Sequence, residues 1–148
     1  VSLKWPNDVL AEGRKLAGIL CEARGVPEAW TAIVGIGLNL EAPTEGWPHD
    51  IPGISLAELG AEKCPATELA ERLVRALDTW LRVVEGRGLR PVIEAWEAHG
   101  PRLGTPVRRG DLMGTYAGLS SDGALRIKTA AGMQTVHAGD VEILDTEK

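Results

Sequence analysis

Lys4, Asn7, Asp8 and Lys15 put two cations, an amide and a carboxylate within the first fifteen residues. A lysine beside amide donors suits an anionic ligand such as a carboxylate or a phosphate. An aspartate next to it suits Mg²⁺, or proton transfer from an attacking amine. Gly18 has no side chain and lets a ligand or another backbone come close. Farther along, the amide of Asn39 could pair with the N6/N7 edge of an adenine, and Trp47 offers a ring on which a base could stack. Each residue also has an ordinary reading. Lys4 and Lys15 would be solvated strand-end charges and Asn7-Asp8 a turn. Asn39 would end a strand, Trp47 would anchor a loop, and Gly35 and Gly37 would mark a bulge or crowded crossing.

The elements that must hold these residues follow from pattern. Pro6 fixes φ and lacks an N–H, so it excludes helix, and Asn7-Asp8 supplies turn chemistry. A second turn falls at Glu12-Gly13. Arg14 to Glu22 reads as its return strand. Regular alternation would put Lys15, Ala17, Ile19 and Cys21 on one face, with Cys21 a small core residue. Ala29 to Leu40 is nearly continuously apolar, which predicts a strand buried on both faces. Glu41 to Pro52 is a loop rich in Pro, Gly and acid. Ser55 and Glu58 have capping-box spacing, predicting a short helix after Ser55. Leu69, Leu73, Leu77, Trp80 and Val84 recur at helical steps, predicting a helix from an N-cap at Thr67 to about Glu85, its stripe in the core. Gly86 and Gly88 should stop it, and Pro91 should open a second helix from Val92 to about His99.

Near Gly100-Pro101 the period changes from helical to alternating. Short strands follow at 105–109, 112–119, 124–129, 133–137 and 141–144, separated by Gly- and Asp-containing turns. The expected fold is α+β: a mixed sheet with helices on one face over residues 1–101, then a small SH3-like β-barrel over 102–148.

Composition narrows the function classes. The 148 residues suit one domain, or one domain and a small module. A net charge of −5 argues against a general nucleic-acid binder. No apolar run approaches the roughly 20 residues of a membrane span. His49, His99 and His137 lack partners at metal-ligand spacing. Two unclustered cysteines, Cys21 and Cys64, fit a reducing cytosol.

Three stretches then resemble one family. Lys4-Trp5-Pro6-Asn7-Asp8, Lys15-Leu16-Ala17-Gly18-Ile19-Leu20 with Glu22 two positions on, and Gly35-Ile36-Gly37-Leu38-Asn39 look like the signature of biotin protein ligases, in order and at similar spacing. The resemblance covers essentially the whole chain, the C-terminal barrel included. It implies a sheet-and-helix catalytic fold of the class II synthetase type. It implies an enzyme that activates biotin with ATP and Mg²⁺ to biotinyl-5′-AMP and passes biotin to a lysine of a biotin carboxyl carrier protein.

By that resemblance Lys15 bridges biotin's carboxylate and the α-phosphate, and Asp8, a possible Mg²⁺ ligand, orients or deprotonates the incoming lysine. Gly18, Ile19, Leu20, Gly35 and Ile36 line biotin. Lys4, Asn7, Asn39 and Trp47 serve the nucleotide, Trp47 from a flexible loop that orders over the adenylate. The family's glycine- and arginine-rich loop, which precedes the tryptophan-proline turn, has no counterpart here, and the sequence does not begin with Met. The chain is therefore expected to be the C-terminal half of such an enzyme, weakly active by itself. A cytoplasmic location and a homodimer through a sheet edge are further expectations. The rival readings are a lipoate ligase-like acyl-adenylate transferase and a non-catalytic interaction or regulatory fragment.

Overall fold

The structure, a computed structural model, describes residues 1–26, 29–49 and 52–144. Its α+β class matches the expectation, with two sheets and two helices. The chain divides into two compact units. One holds Val1–Leu3 and Asn7–Glu62, the other Lys4–Pro6 and the chain from Lys63. This division falls earlier than the change of period at Gly100, because the helices cluster with the later strands.

The first sheet runs in the order β1 (Ser2–Lys4), β2 (Asp8–Ala11), β3 (Arg14–Val26), β4 (Ala29–Leu38). A two-residue turn joins β2 to β3, pairing Ala11 with Arg14. Glu12 and Gly13 both take positive φ, 52° and 73°, the conformation whose twist matches that of the flanking strands. β3 pairs antiparallel with β4 from Ala17–Leu38 to Val26–Ala29. A parallel bridge between Lys15 and Gly53 ties the later loop to the start of β3. The core of this unit is small: Ala11, Leu16 and Ile54, with Leu38, Leu56 and Leu59 packed against them.

Burial differs from the sequence expectation. The far half of β3 and most of β4 are exposed, with Leu20 at 65% and Ile33 at 54%. Cys21 is likewise exposed rather than a core residue. The expectation of a strand buried on both faces is therefore corrected. Continuous apolarity reports that a strand can be covered, not that it is.

The second unit opens with α1 (Ala66–Arg87) and α2 (Arg90–Glu97). Pro65, not Thr67, is the N-cap of α1, Gly86 lies within the helix, and Gly88 ends it at φ 71°. Pro91 sits in the first turn of α2, as its fixed φ favours. No residue of either helix is buried, so the apolar stripe of α1 is not core here.

The second sheet follows: β5 (Pro106–Arg109), β6 (Leu112–Leu119), β7 (Leu125–Thr129), β8 (Gly132–Val136) and β9 (Glu142–Ile143), ordered β8-β7-β6-β5-β9. Among the described residues β8 and β9 are its outer strands, so it is open by hydrogen bonding. Alternation along β7 buries Leu125 and Ile127 with Val107, Tyr116, Val136 and Val141. Trp5 joins this core, its indole Nε1 donating to the Gly123 carbonyl at 3.2 Å. Trp96 of α2 packs against Tyr116 with ring centroids 6.4 Å apart.

Candidate active site

The site is built on the β2–β3 hairpin, and a bulge decides its geometry. Asp8 pairs with Gly18 and Val9 with Ala17, but Leu10 pairs with Lys15, so Leu16 is an extra residue on β3. The bulge shifts the alternation by one. Leu16 and Ala17 are buried side by side, and Lys15 shares a face with Gly18 instead of with Ala17. A Cβ on Gly18 would lie 3.1 Å from Lys15 Cε, 3.2 Å from its Nζ and 3.5 Å from Asp8 Oδ1. Glycine here makes the space through which the lysine arm runs. The arm ends in a salt bridge, Lys15 Nζ to Asp8 Oδ1 at 2.6 Å, with the lysine side chain 39% exposed and the aspartate 15%. A cation and a carboxylate are thus paired at the mouth of the hairpin, the ammonium still open to an incoming anion.

Lys15 lies between two cavities. One, of about 450 Å³, is lined by Lys15, Gly18, Gly37, Asn39, Trp47 and Gly53 among others. The second, of about 440 Å³, is lined by Asn7, Lys15, Gly18, Ile19, Leu20, Gly35, Ile36 and Gly37. Gly35 and Gly37 keep the floor low: the nearest atoms to an added Cβ are carbonyl oxygens 3.6 and 3.9 Å away. The second cavity therefore gathers every residue assigned to biotin from sequence, together with Asn7. Asn7 itself is fixed by exchange with β3: its Nδ2 donates to the Ile19 carbonyl at 2.8 Å, and Ile19 N donates back to its carbonyl at 2.9 Å.

Asn39 and Trp47 line the first cavity. The Asn39 amide nitrogen donates to the carbonyls of Lys15, at 3.0 Å, and Ile54, at 3.1 Å. Both of its hydrogens are thereby used, so the bidentate adenine contact read from sequence is corrected to one in which only Oδ1 is offered. Trp47 is half-buried, and its indole lies against Gly53, where a Cβ would come within 2.1 Å of Cε3. Residues 50 and 51 of its loop lie outside the described residues. Lys4 lines neither cavity; it belongs to the second unit, where its Nζ pairs with Asp140 at 2.9 Å.

Sequence reasoning missed Gly53, Pro48 and Glu58. Ser55 N donates to Glu58 Oε2 at 2.9 Å and Glu58 N to Ser55 Oγ at 3.3 Å, the reciprocal pattern of a capping box. The expected helix is a single turn, ended by Gly60 at φ 71°. The Glu58 carboxyl is held below the usual carboxylate range, first by the Ser55 hydroxyl, against a desolvation cost, with help from Ser55 N, Trp47 and Arg14. The Ser55–Glu58 spacing was the one signal in the sequence that could have found it.

The described residues form no protein cage for Mg²⁺. Among the described residues no group of three potential ligands surrounds any point. The carboxylate of Asp8 already faces the Lys15 ammonium, which would compete with a cation for the same oxygen.

Comparison with known proteins bears on this geometry. The Biotin/lipoate A/B protein ligase family matches residues 1–39, which contain the hairpin, Lys15 and Asn39. The Biotin protein ligase C terminal domain matches residues 104–144. A biotin–[acetyl-CoA-carboxylase] ligase of Paracoccus denitrificans is 36% identical over 95% of this chain and 62% of its own length. The corresponding ligase of Mycobacterium tuberculosis is 36% identical over 94% of this chain and 52% of its own length. This chain is similar to part of a biotin protein ligase. Solved members of the family agree in fold. The apo biotin protein ligase of Aquifex aeolicus superposes with a TM-score of 0.80 at 26% identity, over 97% of this chain and 65% of that one. The same enzyme in complex with biotin and ATP gives 0.76 at 26% identity, over 98% of this chain and 62% of that one. The chain spans 62% and 52% of the length of these two curated relatives.

Proposed function

We propose that this chain carries the biotin- and adenylate-facing part of the active site of a biotin–[biotin carboxyl carrier protein] ligase. The observation that supports the reading best is Lys15, which lines both cavities at once. In the first step a biotin carboxylate oxygen attacks the α-phosphorus of ATP. The bond to the bridging oxygen breaks, giving biotinyl-5′-AMP and pyrophosphate. In the second step the amine of a carrier lysine attacks the acyl carbon of that anhydride, forms the amide, and expels AMP as the C–O bond breaks and the amine loses a proton. Biotin's carboxylate and the α-phosphate are both anionic, so their approach is repulsive. One shared ammonium offsets the repulsion, and more so as charge builds on the phosphoryl oxygens.

The second cavity would hold the biotin rings and the first the adenylate, with Trp47 beside the adenine and Asn39 Oδ1 as an acceptor for its amino group. Asp8 holds the Lys15 arm in the first step. In the second its carboxylate, 2.6 Å from the Lys15 ammonium, would receive the proton of the attacking amine. Lys4 stays assigned to the acceptor or phosphate side on resemblance alone. Any Mg²⁺ would arrive bound to the nucleotide's phosphates rather than in a protein cage.

The carrier domain as acceptor and a cytoplasmic place for the reaction belong to the same reading, as does an SH3-like barrel for residues 102–148. A homodimer through β4 also belongs to it, since that outer strand carries no charged residue to block pairing. A lipoate substrate is the second reading, kept by the breadth of the family that matches residues 1–39. The match of residues 104–144 to the biotin ligase C-terminal domain favours biotin.

The decisive experiment is single-turnover formation of biotinyl-AMP by the intact ligase carrying Lys15→Ala, with circular dichroism as the folding control. The expected slowing is about 100-fold or more, the scale of one preorganised charge donor. Lys15→Arg should also be slow, because a guanidinium fork cannot replace a compact ammonium. A folded Lys15→Ala enzyme within about tenfold of wild type overturns the central assignment.

A further inference from the structure

Glu58 touches neither cavity, yet it collects four donors. Its Oε2 accepts from Ser55 N at 2.9 Å, Ser55 Oγ at 2.8 Å and Trp47 Nε1 at 3.1 Å, and its Oε1 accepts from Arg14 Nη1 at 3.3 Å. Among the described residues the Trp47 loop has no helix or strand of its own. The indole makes this hydrogen bond and also rests against the bare face of Gly53. Gly53 is itself fixed, because Lys15 N donates to Pro52 O at 2.9 Å and Ile54 N donates to Lys15 O at 3.0 Å. The indole, the glycine it rests on and the backbone of Lys15 are therefore one bonded assembly, with Glu58 as its anchor.

We propose that Glu58 is a positioning residue for the nucleotide, holding the Trp47 indole on Gly53 as a fixed wall of the adenylate cavity. The inference rests on the assignment of that cavity to the adenylate. A side chain free to rotate would have to be ordered each time nucleotide bound, and the hydrogen bond removes that cost in advance. Glycine at position 53 is part of the device, since any side chain there would occupy the volume of the indole.

The test uses the intact ligase labelled with 5-fluorotryptophan, the Trp47 resonance being assigned by its loss in Trp47→Phe. Glu58→Ala should shift and broaden that resonance and raise the KM for ATP about tenfold, equivalent to about 1.4 kcal/mol, with the KM for biotin within about twofold. Glu58→Gln keeps an acceptor oxygen without the charge and should lie between the two. Gly53→Ala reaches the indole at its six-membered ring with Glu58 intact. It should move the same resonance and the same KM, which keeps the test open should Glu58→Ala fail to fold. If Glu58→Ala or Gly53→Ala moves the resonance while the KM for ATP stays within about twofold, the proposal is overturned. If Glu58→Ala leaves the Trp47 resonance in place, Glu58 is not its anchor and the proposal is equally overturned. Either failure, with Lys15→Ala still slowing adenylation about 100-fold or more, leaves the ligase reading intact; loss of that Lys15 effect would sink the ligase reading itself.

Discussion

At the scale of single residues the site turns on what a glycine leaves empty. A methyl group on Gly18 would crowd the far end of the Lys15 side chain at 3.1–3.2 Å, not a backbone atom. The fold should therefore survive Gly18→Ala while the ammonium is pushed off its station. Adenylation should slow by about tenfold to a hundredfold, the cost of misplacing a catalytic group by a fraction of an ångström to an ångström. Single-turnover kinetics at wild-type rate in a folded Gly18→Ala enzyme would show that the arm has slack.

Glu58 yields a pH prediction. Its carboxyl is held low chiefly by the Ser55 hydroxyl, so its contribution to stability is present above the pKa of a free carboxylate. That contribution is lost as pH falls through the lower folded value. The fluorine signal of Trp47 should accordingly hold its position through the ordinary carboxylate range on acidification and move only below it. A shift centred at the free-glutamate pKa would contradict the bonding described. The identity of Lys15, Asp8 and Asn39 as candidates was legible from residue type and spacing. That Asn39 spends both amide hydrogens on backbone carbonyls was not, because its partners lie 24 and 15 positions away in the chain.

At the scale of elements, burial separates two kinds of apolar residue that look alike in sequence. Ile127 of β7 is fully enclosed, whereas Leu81 of α1 is 52% exposed. Ile127→Ala should cost about 2–5 kcal/mol by deleting packed methyl groups. Leu81→Ala should stay within about 0.5 kcal/mol, as surface substitutions do. Urea unfolding of the chain measures both, and equal losses would mean that α1 is covered in solution. Helical and alternating periods located both helices and all five later strands to within two residues or so, since they report local geometry. They could not report coverage. The stripe Leu73, Leu77 and Trp80 has the spacing of a core face, and in the structure none of it is buried.

At the scale of the whole molecule, several large apolar side chains stand exposed. Leu20, Val26, Ile33 and Ile36 stand open on β3 and β4. Surfaces of this kind normally meet a partner. The 148 residues alone should bind a hydrophobic dye and associate with rising concentration. Sedimentation velocity that finds one monomeric species across the micromolar to millimolar range, without dye binding, would contradict this. No helix among the described residues is long and apolar enough to cross a membrane, so these surfaces are not read as a helical span.

The sequence by itself determined the local pieces: the Glu12-Gly13 hairpin, the Ser55–Glu58 cap, the helix stop at Gly88 and the alternation of β7. Each depends on neighbours a few positions apart, and backbone sterics or a short-range hydrogen bond is enough to set it. Tertiary structure alone decided three things. The bulge at Leu16 turned Lys15 onto the face of Gly18, because register depends on the partner strand. The Trp47 loop came to rest on Gly53, because that requires the bridge from Gly53 to Lys15. And it left β4 and the stripe of α1 exposed, because burial belongs to what lies across from a residue and not to the residue itself.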